Sequence, residues 1–192
     1  MFYIKEMDAV FLHLPKCGGT SIRSGTYEKP KHRPVIHAPD IPKSWPLNRV
    51  FTFVRHPLER FVSAVKYIRR CEPNKMSDMT HERAFEILVD TSIPHQNARG
   101  QKMWWFKHHL IAMTHPDNYI SLARHVGRFE NFQDDWKRIH ESLCPNKEVP
   151  DLPHLNGSGE LTSWERELPA EIISSLASYH RRDFTELGYP LP

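Results

Sequence analysis

Two hydrophobic periods alternate along this chain. The five-residue apolar runs VFLHL (10–14) and VFTFV (50–54) are bounded by polar or turn-forming residues and predict buried strands. Helical spacing follows each of them. A first helix is expected over 20–27. A second is expected over 57–71, where Leu58, Phe61, Val62 and Val65 share a stripe and Pro57 suits the first position. Residues 33–37 read as a short strand between prolines, and 72–80 as a polar loop. Thr80 can cap a helix over 81–90; Arg83, not an acid, stands three residues on, so there is no capping box. Residues 101–113 fit no single template, and Trp104, Trp105 and Phe106 read as core or interface rather than a stacking platform. Residues 119–122 and 126–129 are strand-like. Asn131 caps a helix to about 143 that turns Phe132, Trp136 and Ile139 inward, 144–163 is a Pro- and Gly-rich loop, and Pro169 opens a last helix to about 180. Strands alternating with helices predict an α/β fold, a mainly parallel sheet with helices on both faces. No repeat or composition break divides the chain, so a single domain over 1–192 is expected.

The first strand-to-helix corner carries chemistry. It reads PKCGGTS (15–21), a Lys-bearing loop with paired glycines and two terminal hydroxyls. Backbone N–H groups at such a corner have no intrahelical partner. They point, with the Lys16 ammonium, at one spot suited to a phosphate or sulfate ester. Gly18 and Gly19 let the anion approach the backbone. Lys16 precedes both glycines, so this is not the G-x-x-x-x-G-K-[ST] loop.

The second corner is RVFTFVRHPLERFVSAVKYI (49–68). Arg55 stands at the carboxyl end of its strand. Arg60 and Ser63 are three apart on the polar helix face, with Arg60 also open to pairing with its neighbour Glu59. Open α/β sheets bind ligands at the carboxyl ends of their strands. Two anion-seeking corners there imply a ligand with two separated phosphate groups.

Composition narrows the partners. A formal charge of +3 from nearly balanced acids and bases argues against a polybasic nucleic-acid binder, although thirteen His add charge below neutrality. No stretch approaches the ~20 apolar residues that span a bilayer. The start, MFYIKEMDAV, has no basic-then-apolar leader. A soluble, cytoplasmic chain is expected. Three Cys make a poor disulfide framework and suit reduced thiols; a Cys71–Cys144 bridge is the one pairing left open. His108 and His109 are adjacent and no CxxC occurs, so no metal site is expected.

The two corners resemble the 5′-phosphosulfate and 3′-phosphate segments of sulfotransferases that use 3′-phosphoadenosine 5′-phosphosulfate (PAPS). The nearest likeness is to the carbohydrate branch, with its heparan sulfate 2-O- and HNK-1-like enzymes and small bacterial relatives. VGRFENFQDDW (126–136), LPHLN (152–156) and YHRRDFTELGY (179–189) are similar to that branch's later landmarks. Cys17 is a departure, standing where Thr is more usual. The resemblance implies a P-loop-like three-layer fold and transfer of a sulfuryl group from PAPS to an acceptor hydroxyl, carbohydrate by family, without a metal. It assigns Lys16, Cys17, Gly18, Gly19, Thr20, Ser21, Arg55 and Ser63 to the donor. Lys16 would stabilise the leaving phosphate and His37, between the two corners, would be the base. His95 is the second candidate base, and with Gln96 and Arg99 it lies in a segment similar to the family's acceptor side. The membrane anchor and stem of the family's Golgi enzymes are not seen in this chain, which points to a bacterial-type soluble form or a trimmed one.

Other residues read as structural: His13 as a satisfied core residue, and His154 beside Pro153. Arg128 and Glu130 flank Phe129 and in a strand share a face, an ion pair tying the strand to the sheet; Arg128 is also within reach of a cofactor role. Two rival functions remain. Cys17 to Ser24 fits C-x5-R-S, the loop of phosphatases in which a thiolate attacks while Arg23 grips the ester. The other rival is a nucleotide-binding module without catalysis.

Overall fold

The computed structural model describes residues 1–26, 44–72, 76–94, 103–153 and 163–192. The predicted strand at 33–37 falls outside them. The described elements comprise eight helices and a four-stranded, mostly parallel sheet, which makes the fold α/β. They belong to two compact units, one from the described residues of Met1–Arg55 and Met113–Gly157, the other from those of His56–Ala112 and Ser158–Pro192.

The first unit holds the sheet, ordered β1-β2-β3-β4. Strands β1 (Phe2–Ile4) and β2 (Ala9–Leu12) form an antiparallel hairpin around a 3-10 turn that closes on Asp8 at φ 45°. Arg49 pins that turn, donating to the carbonyls of Met7 (2.8 Å), Asp8 (2.7 Å) and Leu143 (2.7 Å). β2 pairs in parallel with β3 (Val50–Val54), and β3 in parallel with β4 (His125–Arg128). Phe2, Phe11 and Phe51 pack in sequence across the sheet, with ring centroids 5.1 Å apart in both steps. Helix α5 (Phe132–Leu143) covers the same face: Trp136 lies 6.1 Å from Phe51 and Phe132 4.7 Å from Phe53. Gly127 stands opposite Phe53, and a Cβ there would meet the Phe53 ring at 2.5 Å, so the ring fills the missing side chain's place. Met1, Val10, Leu12 and Val50 form a second cluster with Tyr119, Ile120 and Leu122. The short helix α1 (Gly19–Gly25) follows β2 and buries Ile22.

The second unit is helical in its described residues: α2 (Pro57–Cys71), α3 (His81–Val89), α4 (Met103–Leu110), α6 (Trp164–Glu167), α7 (Ala170–Tyr179) and α8 (Arg181–Glu186). The expected stripe of α2 is wholly buried, and the Thr80 side chain accepts from Arg83 N at 3.1 Å.

Several expectations are corrected. Residues 119–122 are not a strand; Tyr119 is left-handed (φ 52°) and Ile120–Leu122 is a 3-10 turn. Asn131 precedes α5 but makes no side-chain cap. The first strand ends at Leu12, not 14, and α1 runs 19–25 rather than 20–27. All three cysteines are free thiols, so the Cys71–Cys144 bridge does not form. No described helix is long and apolar enough to cross a membrane.

Candidate active site

The first corner is built from backbone. Between Leu12 and Gly19 the chain reverses through Lys16 at φ 68° and Gly18 at φ 85°, both left-handed. For a lysine that conformation costs ~1–2 kcal/mol and persists only where surroundings hold it. Left-handed residues interleaved with ordinary ones turn successive N–H groups to one concave side, a nest for an anion. The two glycines also answer to packing. A Cβ on Gly18 would sit 2.5 Å from Phe132 Cε2, and one on Gly19 would fall on the His13 ring edge at Cδ2 and Nε2. His13 is therefore more than a core residue. It is half-buried, stacks on Phe11 with centroids 5.9 Å apart, and walls the loop beside Gly19.

Cys17 turns its thiol away from the loop surface. The side chain is 1% exposed, and Sγ donates to Pro15 O (3.6 Å) and contacts Met113 Sδ (3.8 Å). A phosphatase nucleophile needs an exposed, electropositive setting. The geometry of Cys17 therefore disfavours the C-x5-R-S reading. Ser21 is buried and Thr20 exposed on the first turn of α1.

The parallel register, with Leu12 opposite Thr52, brings the loop after β2 and Arg55 after β3 to the same end of the sheet. Val54 pairs with Arg128, so Phe129 leaves β4 at that end too. Arg55 is 7% exposed, and its guanidinium lies 4.6 Å from the Phe129 ring centroid. Ser63 is half-buried on α2, in the helical unit.

Arg60 is neither on the polar face nor paired with Glu59. It is 1% exposed and donates to the carbonyls of His109 (3.1 Å), Leu110 (3.1 Å) and Ile111, which stand at the carboxyl end of α4. A cation there complements the helix dipole. Glu59 instead accepts from Trp164 N at 3.1 Å. Glu130 is exposed and sits in a 3-10 turn (Phe129–Asn131) beyond the strand, so the same-face argument for a buried pair with Arg128 fails. His37, His95, Gln96, Arg99 and His154 lie outside the described residues. Among the described residues no group of three or more His, Cys, Asp or Glu is placed to hold a metal.

The later landmarks prove to be supports. In 126–136, Asp135 accepts from Arg128 N (2.6 Å) and Arg138 (2.7 Å), and Trp136 Nε1 donates to Pro150 O (2.8 Å). In 179–189, Phe184 and Tyr189 stand edge-on to His56 at 5.6 and 5.4 Å, and Trp164 stacks on it at 5.7 Å. Trp136 was expected to turn inward and does; the aromatic seat of His56 was missed, although Phe184 and Tyr189 stand inside the 179–189 segment.

A sequence profile described as the sulfotransferase family matches residues 41–190, a span that holds Arg55, Ser63 and the 126–136 and 179–189 segments and begins after the Lys16 loop and His37. No curated protein and no solved structure matches the chain. With well over half of its length matched, the chain belongs to the sulfotransferase family, whose members transfer a sulfuryl group to an acceptor.

Proposed function

We propose that this chain transfers a sulfuryl group from PAPS to a hydroxyl group of a carbohydrate acceptor. The observation that carries this reading is the left-handed backbone at Lys16 and Gly18, in a loop leaving the sheet at the same end as the buried Arg55. PAPS, when bound, would supply the activated sulfuryl group and a phosphate leaving group. The N–H groups of residues 16–21 and the Lys16 ammonium would hold its 5′ end. The family resemblance assigns its 3′-phosphate to Arg55 and Ser63. An ammonium fixed beside the leaving oxygen stabilises charge as the S–O bond breaks, without reorganising at that moment. The acceptor oxygen attacks sulfur from the opposite side, and its proton passes to a base. His37 is the proposed base, with His95 second, because an imidazole titrates near neutrality. Gln96 and Arg99 are proposed acceptor contacts. Free thiols at all three cysteines support a cytoplasmic setting.

Titration calorimetry with adenosine 3′,5′-bisphosphate tests the donor site. The wild-type chain should bind it, and Arg55→Ala should weaken binding about tenfold or more by removing a charge-assisted contact. Equal affinity in the two proteins would sink the 3′-phosphate assignment. Radiolabelled transfer to a carbohydrate panel tests the reaction. Binding without transfer to any acceptor would favour a nucleotide-binding module.

A further inference from the structure

A close approach of Phe132 to Gly18 and two ring contacts run in series through the sheet unit from one proposed anion site to the other. The place of a Cβ on Gly18 is 2.5 Å from Phe132 Cε2, the Phe132 and Phe129 ring centroids are 5.7 Å apart, and the Arg55 guanidinium lies 4.6 Å from the Phe129 centroid. Phe132 also bears on Phe53 at 4.7 Å. Both ends of the pair are anchored, by Asp135 on the Arg128 amide and by Trp136 on Pro150 O. A guanidinium has a face and an edge. An aromatic ring takes the face, so the contact with Phe129 fixes the guanidinium plane without using its in-plane N–H donors.

We propose that Phe129 is a positioning residue for Arg55 and that, with Phe132, it forms an aromatic brace setting Arg55 relative to the Lys16 loop. The inference rests on the reading of those two groups as parts of one nucleotide site. Neither ring is asked to touch a reacting atom; both act through the groups they hold.

The test is titration of adenosine 3′,5′-bisphosphate into the full chain, with thermal midpoints measured alongside. Phe129→Leu removes the π face and should weaken binding about tenfold, while Phe129→Tyr keeps it and should bind as the wild type does. At saturating PAPS both variants should keep the wild-type kcat, because the loss lies in donor binding. In an Arg55→Ala background Phe129→Leu should cost nothing further. Should Phe129→Leu fail to fold, Phe129→Met removes the same face at similar volume and takes its place. Full affinity in the Leu or Met variant, or a further loss in the Arg55→Ala background, would overturn the brace while leaving the donor reading intact. Failure of the wild-type chain to bind the bisphosphate would overturn the donor reading beneath it.

Discussion

The loop after β2 and the residue after β3 leave the sheet at the same end, yet they supply positive potential there by different means. The loop does it with backbone: left-handed φ at Lys16 and Gly18, a thiol turned inward, and two glycines packed against rings. Residue 55 does it with one buried guanidinium on an aromatic face. Five residues later Arg60 carries the same charge, but three carbonyl groups at a helix end absorb its donors. Charge and burial alone therefore do not mark an arginine as a ligand contact. If both are anion sites as proposed, the backbone one should break when a glycine or a supporting ring changes, and the side-chain one when one residue is truncated.

The largest effect is expected at Lys16, where both means meet. Lys16→Ala should slow single-turnover transfer ~10²–10³-fold, as loss of a preorganised donor commonly does. Lys16→Gly sharpens the comparison, because glycine takes φ 68° without strain but has no ammonium. The Gly variant should be as slow as the Ala variant and no less stable. Recovery of rate in the Gly variant would mean that the loop works through its shape alone.

What the sequence disclosed follows from how local each cause is. The strand 50–54 and the helix 57–71 appear at their expected bounds because an apolar β-rich run, a Pro at the first helical position and one stripe are all local signals. Residues 119–122 looked extended because Tyr and Ile favour strands, but the preceding Pro116–Asn118 turn and the left-handed Tyr119 override that preference. β1 has three residues and α8 six, too few for a period to show. Of the proposed site, the placement of the loop after β2 and of Arg55 after β3 was legible from residue types in order. The partners of Arg60 were not, since they lie some fifty positions on, and neither was the inward turn of Cys17 toward Met113, 96 residues away.

A middle-sized effect separates the two reasons for Gly19. If it is glycine because the His13 ring occupies the place of its Cβ, Gly19→Ala forces an overpacked contact worth ~1–3 kcal/mol. Bisphosphate affinity and thermal midpoint should both fall. His13→Ala in the same chain empties that place and should restore most of both losses, a coupling that a double-mutant cycle measures. No recovery in the double variant would show that the methyl group obstructs the anion itself, and that the imidazole is incidental.

The smallest effect compares the two units by pH. His81 and His180 in the helical unit, and His125 and His140 in the sheet unit, are all held below their ordinary pKa of 6.5, with burial the largest cause in each. His180 is the most enclosed: both it and its partner Asp183, 3.3 Å away, are fully buried, and the nearby Arg60 charge opposes protonation further while the Asp183 contact favours it. A lowered pKa in the folded chain means that the unfolded chain holds more protons in acid. The stabilisation is complete above about pH 6.5 and is lost as pH falls toward the folded-state values. The thermal midpoint should be level near neutrality and decline below about pH 6.5. His180→Gln should lower the midpoint at neutral pH and flatten that decline. Amide exchange in mild acid should rise first in α7 and α8, which flank the enclosed pair. An unchanged slope in the Gln variant would place the acid sensitivity on His81, His125 or His140, and earlier loss of protection in the sheet unit would reverse the ranking of the two units.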